Sequence, residues 1–114
     1  MLKKLIETVE LLGYEIYQQG TLNPDEKYPD SFFTFWNFQA DENSEFDNEA
    51  NSCLWGYWLY FYSTDPVLVE SELLKAKKEL KKAGFEIWGN GEDVASSIPT
   101  QTGRMLTIYY KETY

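Results

Sequence analysis

The stretch that most limits how this chain can fold runs from Cys53 to Gly84. It opens with CLWGYWLYFYS, a run rich in the aromatic residues that favour strands. Asp65 then supplies a helix cap, and Pro66 suits the first helical position. The residues that follow place an apolar stripe at helical spacing, formed by Val69, Leu73, Ala76, Leu80 and Ala83. Because glycine commonly ends helices, Gly84 marks the end of this one. The stretch predicts a long strand that leads directly into an amphipathic helix.

The rest of the chain supplies a second helix and further strands. Apolar residues recur at helical spacing from Leu2 to Leu12, and Gly13 ends that helix. Segments typical of strands are separated by turns rich in Gly, Pro and Asn, and they lie at 14–18, 31–39, 53–63, 85–88 and 104–111.

These elements predict a single α+β domain over residues 1–114. We expect an antiparallel or mixed sheet of about four to six strands. Two helices, at about 2–12 and 66–83, are expected to pack on one face of that sheet.

The two faces of the aromatic strand are expected to have different roles. Alternation separates one face, with Cys53, Trp55, Tyr57, Leu59 and Phe61, from the other, with Leu54, Gly56, Trp58, Tyr60 and Tyr62. The first face is expected to meet the helices. On the second, Trp58, Tyr60 and Tyr62 are too apolar to be left bare on a monomer, and Gly56 indicates a bulge or a close backbone approach. With Phe33 and Phe35 of the preceding strand, these three rings form the predicted subunit interface.

Residues 40–52 differ from both flanking strands because they combine acids with asparagines and contain no base. Such a segment is too polar to pack, and we predict a mobile loop between two strands. The spacing of an EF-hand calcium loop is absent, which leaves a weak divalent site at an assembly contact as the alternative. The acids of this predicted docking or lumen loop are Asp41, Glu42, Glu45, Asp47 and Glu49.

The residue types argue against an enzyme. The chain contains no His, which is the commonest general base. Its single cysteine, Cys53, falls inside a predicted strand with no base to activate it. The Gly-Asn-Gly sequence at 89–91 lacks the remainder of a phosphate-binding loop. We therefore expect no enzymatic activity, and we assign no catalytic, cofactor-binding or metal-binding residue.

The formal net charge of −9 restricts the partners that the chain can bind. An acidic protein gains nothing from counterion release on nucleic acid, and anionic membranes repel it. The N-terminal segment contains Glu7 and Glu10, which argues against a signal peptide, and no apolar run is long enough to span a bilayer. We expect a cytoplasmic protein without a membrane partner or sequence-specific nucleic-acid binding.

The junction Tyr-Phe-Tyr-Ser-Thr-Asp-Pro at 60–66, followed by Glu70 and Leu73-Leu74, resembles the strand-to-helix junction of phage and prophage tail-completion proteins. The order of elements from Met1 to about Glu112 is also similar to that family, which is related in fold to the lambda-type tail terminators. The resemblance implies an α+β subunit that assembles as a ring, usually a hexamer, at the end of the tail tube. It implies no active site.

The resemblance further implies which molecules the subunit meets. These are other copies of itself, the major tail protein and the head–tail connector proteins, first in the host cytoplasm and then in the virion. In a ring, each subunit presents two different contact surfaces. The acidic composition leaves one alternative open, which is a small monomeric binding or inhibitor protein of phage origin, such as a DNA-mimic type inhibitor of host defence.

Overall fold

The computed structural model describes residues 2–19, 29–43, 52–96, 98 and 100–113. The elements in chain order are α1 (Leu2–Glu10), β1 (Ile16–Gln18), β2 (Ser31–Asn43), β3 (Ser52–Ser63), α2 (Pro66–Lys82), β4 (Glu86–Ile87), β5 (Glu92–Val94) and β6 (Thr102–Thr113). The predicted α+β class is confirmed. Both helices end within two residues of their predicted ends.

A six-stranded sheet forms one layer of the domain. Its strand order is β1–β2–β3–β6–β4, and β5 also pairs with β6. The β1–β2 pair is parallel, and the other pairs are antiparallel. The sheet is therefore mixed, which is one of the two alternatives, antiparallel or mixed, that the sequence predicted. Its centre consists of the three long strands β2, β3 and β6, which have 13, 12 and 12 residues.

The junction between β3 and α2 forms as its residues predict. The side chain of Asp65 accepts a hydrogen bond of 2.9 Å from the backbone N–H of Val67, which satisfies a donor that the first helical turn leaves free. Pro66 is the first helical residue. At the other end Gly84 has a φ of +102°, a conformation that residues with a side chain rarely adopt. Both ends of α2 therefore lie at residues whose local chemistry favours a helix end.

Both helices pack against the same face of the sheet and close one core there. The helices contribute Leu5, Val9, Val69, Leu73, Ala76 and Leu80. The long strands contribute Phe33, Phe35, Tyr57, Leu59, Phe61, Leu106 and Ile108. Each large side chain of this kind stabilises the fold by roughly 1.5–3 kcal/mol when it leaves water. The predicted helix-facing side of β3 is thus the side that supplies the core.

Phe33 and Phe35 belong to this core, and the prediction that placed them on an outward-facing interface is wrong. They lie directly opposite Phe61 and Leu59 across the β2–β3 pair, and directly opposed residues share a face of the sheet. Phe33 is completely buried, and Phe35 is 4% exposed. β2 has rings on both faces, so its alternation alone does not reveal which face meets the helices.

Strand β2 continues to Asn43, so the predicted loop beginning at residue 40 is wrong for its first residues. Asp41 lies opposite Leu54 and Glu42 opposite Cys53 in the β2–β3 ladder. The ladder joins backbone groups, so polar residues extend a strand where a partner strand is present. The other three acids of the predicted loop, Glu45, Asp47 and Glu49, lie outside the described residues.

Candidate interaction surface

The sheet face turned away from α1 and α2 carries a continuous group of aromatic side chains, and no described helix lies on it. We call this surface the open face. Strand pairing assembles it from Phe32, Thr34, Trp36 and Phe38 of β2, Trp58, Tyr60 and Tyr62 of β3, and Met105, Thr107 and Tyr109 of β6. The three β3 rings that the sequence assigned to an interface therefore lie together on the side away from the core. Their role as an interface stays a prediction.

The strand register explains which β2 residues join them. Phe32 lies opposite Tyr62, and Trp36 lies opposite Trp58. The interface predicted from the sequence included neither Trp36 nor Phe38. Trp36 is 43% exposed, whereas most other rings of the open face are half-buried against one another. The residue that a partner would meet most directly was therefore missed.

The rings of the open face stack on each other. Phe38 and Trp58 have centroids 4.8 Å apart and an interplanar angle of 18°. Tyr60 and Tyr62 are nearly parallel, at 3° and 6.0 Å. Stacked rings use their π faces on their neighbours, so a flat ligand would find few free faces to stack on. What remains accessible is ring edges with polar tips, which suits contact with another protein surface.

A β-bulge shapes the centre of the open face. The register shifts between Asn37 and Gln39, so the ring of Phe38 lies over Gly56. The Asn37 side-chain amide holds this bulge by donating to the backbone carbonyls of Gln39 and Gly56, both at 2.8 Å. The prediction that Gly56 marks a bulge or close approach is confirmed. A second glycine, Gly103, lies under the ring of Tyr62 in the same way.

Acidic side chains surround this aromatic group. Glu86 lies opposite Tyr109 and Glu92 lies opposite Met105, which places both on the open face at its β6 side. Asp41 lies beside Leu54 at the far end of the same face. Glu15, at the β1 side, accepts a hydrogen bond from the Tyr17 hydroxyl. We call these four residues the acidic rim.

Lys111, which lies opposite Leu54, is a base at the acidic rim. Among the described residues, the open face therefore carries four acids and one base around an apolar centre. A partner with basic side chains around an apolar contact would match it in charge.

The hydroxyl group of Tyr62 on the open face is protonated at neutral pH. Burial raises the pKa of Tyr62 above its ordinary value of 10.0, and neighbouring Tyr60 raises it further. A neutral phenol can both donate and accept a hydrogen bond. Among the described residues, no three His, Cys, Asp or Glu side chains are grouped so that they could hold a metal ion.

None of the described helices combines the length and the apolar character needed to cross a bilayer. No family model matches the chain, and no curated protein matches it.

Proposed function

We propose that this protein is a structural subunit of the tail terminator or head–tail joining type, which assembles as a ring at the end of a phage tail tube. Its partners in this proposal are other copies of itself, the major tail protein and the head–tail connector proteins. Assembly takes place in the host cytoplasm, and the subunit remains in the virion.

The open face is the observation that carries the proposal. The helices complete the core on one side of the sheet, yet the other side concentrates Trp, Tyr, Phe and Met. These residue types are enriched at the buried centres of protein interfaces. Contiguous apolar patches on a small domain mark places where another molecule binds. A subunit that functions only within an assembly gains from such a face.

The charge of the chain is compatible with a ring around DNA. With 19 acidic and 10 basic residues, the protein repels a polyanion at long range. A passage for DNA works best when its wall does not bind phosphate, because the DNA must slide through it. The acids Glu45, Asp47 and Glu49 of the predicted loop, which lie outside the described residues, are our candidates for part of that wall or for a docking element.

Electron microscopy of the concentrated protein tests the proposal, with and without tail tubes built from the neighbouring major tail protein. We expect rings, either free or at tube ends. Trp36→Ala should weaken them because Trp36 is the most accessible ring of the open face. Leu11→Ala is the matched control, since Leu11 is 80% exposed at the end of α1, away from the open face.

A protein that stays monomeric at all concentrations and ignores tail tubes would contradict the proposal and favour the acidic inhibitor alternative. Gene order provides an independent check. We expect genes for a major tail protein and a head–tail connector to lie next to the gene for this chain.

A further inference from the structure

We propose that the open face of one subunit binds the outward side of helix α2 on the next subunit. This inference rests on the proposed function, because it names the two surfaces that meet within the ring. We call the α2 surface the lysine face and define it by Val67, Leu74, Lys78, Lys81 and Lys82.

The lysine face lies on the side of α2 that points away from the core. At 100° per residue, Lys78 is directly opposite the buried stripe that contains Val69, Ala76 and Leu80. All five residues of the lysine face are exposed. Two of them are apolar: Val67 is 71% exposed, and Leu74 is 38% exposed. The surface therefore offers apolar contacts among basic side chains.

Two lysines of this helix are free to pair with another molecule. Lys75 pairs with Glu72 at 3.1 Å, and Lys82 pairs with Glu79 at 3.4 Å. Lys77 is held within the subunit by the Gly89 carbonyl and by the Asn90 side chain. Lys78 and Lys81 form no ion pair with any described residue.

The acidic rim offers the matching charges. Neither Glu86 nor Glu92 forms an ion pair with a described residue, and both are exposed. An aromatic centre with an acidic rim on one subunit thus faces apolar residues with free lysines on another. Complementary charge of this kind favours a contact between unlike surfaces and guides its orientation.

The same charges oppose a contact between two open faces. A two-fold contact of that type would bring Glu86 and Glu92 close to the acids of the other copy, and like charges across an interface are costly. Two lysine faces would repel each other for the same reason. The open face and the lysine face lie on opposite sides of the two-layer domain, so pairing one with the other is head-to-tail. A head-to-tail contact repeats from subunit to subunit and closes into a ring when its rotation allows.

Charge reversal on each surface separately tests this inference. The first variant carries Glu86→Lys and Glu92→Lys, and the second carries Lys78→Glu and Lys81→Glu. Each variant alone should require a concentration about tenfold higher, or more, for assembly, because like charges then meet at every contact. An equimolar mixture should assemble again, since the lysine rim of one variant meets the glutamate helix of the other. Circular dichroism verifies that both variants are folded.

A matched pair of single reversals controls for net charge. Lys78→Glu should impair assembly, while Lys3→Glu should not, because Lys3 is an exposed residue of α1 outside both surfaces. Higher salt should weaken assembly of the unmodified protein through screening of the same contacts.

The outcomes separate this inference from the proposed function. If the unmodified protein forms rings and both charge variants form them equally well, the head-to-tail contact is wrong and the ring survives. The contact is also wrong if both variants fail and their mixture fails too. If the unmodified protein forms no ring, even on tail tubes, the proposed function itself fails.

Discussion

The ring of Phe38 lies so close to the α-carbon of Gly56 that a Cβ atom there would sit 2.8 Å from the ring atom Cζ. Contacts this short are not tolerated, so Gly56→Ala should push the ring away from its stack on Trp58. We expect the free energy of unfolding to fall by about 1–3 kcal/mol, a typical cost of overpacking. Urea unfolding followed by tryptophan fluorescence measures the loss.

Phe38→Ala provides the control for that substitution. Once the ring is absent, Gly56→Ala no longer causes the clash, so the two changes together should cost less than their sum. Strictly additive costs would show that Gly56 has another role.

Phe33 and Trp36 occupy opposite faces of β2 and should respond differently to truncation. Phe33 is completely buried, with its ring centroid 4.6 Å from that of Phe61. Phe33→Ala should therefore lower the free energy of unfolding by about 3–5 kcal/mol. Trp36→Ala should have a much smaller effect on unfolding but should weaken assembly. The reverse pattern, measured by thermal unfolding and sedimentation, would mean that the β2–β3 register is wrong.

The cap of α2 gives a local test of the strand-to-helix junction. Asp65→Ala removes the acceptor for the Val67 N–H and should cost about 1 kcal/mol. Asp65→Asn keeps an acceptor oxygen and should restore most of that stability. Chemical denaturation distinguishes the two variants. An equal loss in both would indicate that the carboxylate charge matters more than the hydrogen bond.

Three tyrosines link stability to alkaline pH. Burial is the first cause of the raised pKa of Tyr14, Tyr57 and Tyr62. In the unfolded chain each phenol loses its proton near its ordinary value of 10.0, while the folded protein retains it. Their contribution to stability is therefore complete below pH 10.0 and is lost as the pH rises through the folded values.

The replacement Tyr62→Phe removes one of these titrating groups. We expect the free energy of unfolding to fall less steeply with pH in this variant than in the unmodified protein. Denaturation curves collected on both sides of the ordinary tyrosine pKa provide the comparison. The same slope in both proteins would show that Tyr62 titrates alike in the folded and unfolded states.

Features that depend on neighbouring residues in the chain were predictable from the sequence. The alternation of β3 correctly separated Phe61 from Tyr60, because successive strand residues point to opposite faces. The Asp65 cap and the apolar stripe of α2 were also predicted, because each depends on residues that are close together in the chain. Glu72 was not: it is only 8% exposed although it is charged, and it pairs with Lys75. Its burial depends on how α2 packs, which the helical pattern does not specify.

Features that depend on register were not predictable. Both faces of β2 carry aromatic rings, so neither face is more polar than the other near the start of the strand. The sequence therefore does not show that Phe33 faces the helices and Phe32 does not. The bulge at Asn37–Gln39 then inserts one residue and changes which side chains of β2 reach the open face. This is how Asp41 comes to lie beside Leu54 on the open face. One of the two Asn37 amide hydrogen bonds that hold the bulge, the one to Gly56, reaches across to β3, so β2 alone does not indicate it.

The difference in length between β1 and β2 affects how the protein avoids non-specific backbone pairing. β1 pairs with β2 only along Phe33–Phe35, and from Trp36 onward no described strand borders that side of β2. The backbone groups of an unpaired strand edge can form hydrogen bonds with another chain, which is the first step of aggregation. In β2 the bulge at Asn37–Gln39 interrupts this edge, and Asp41 and Glu42 place two carboxylates near its end. Both features discourage the addition of another strand. The edge of β2 is thereby protected from backbone pairing, which cannot select a partner as side chains can.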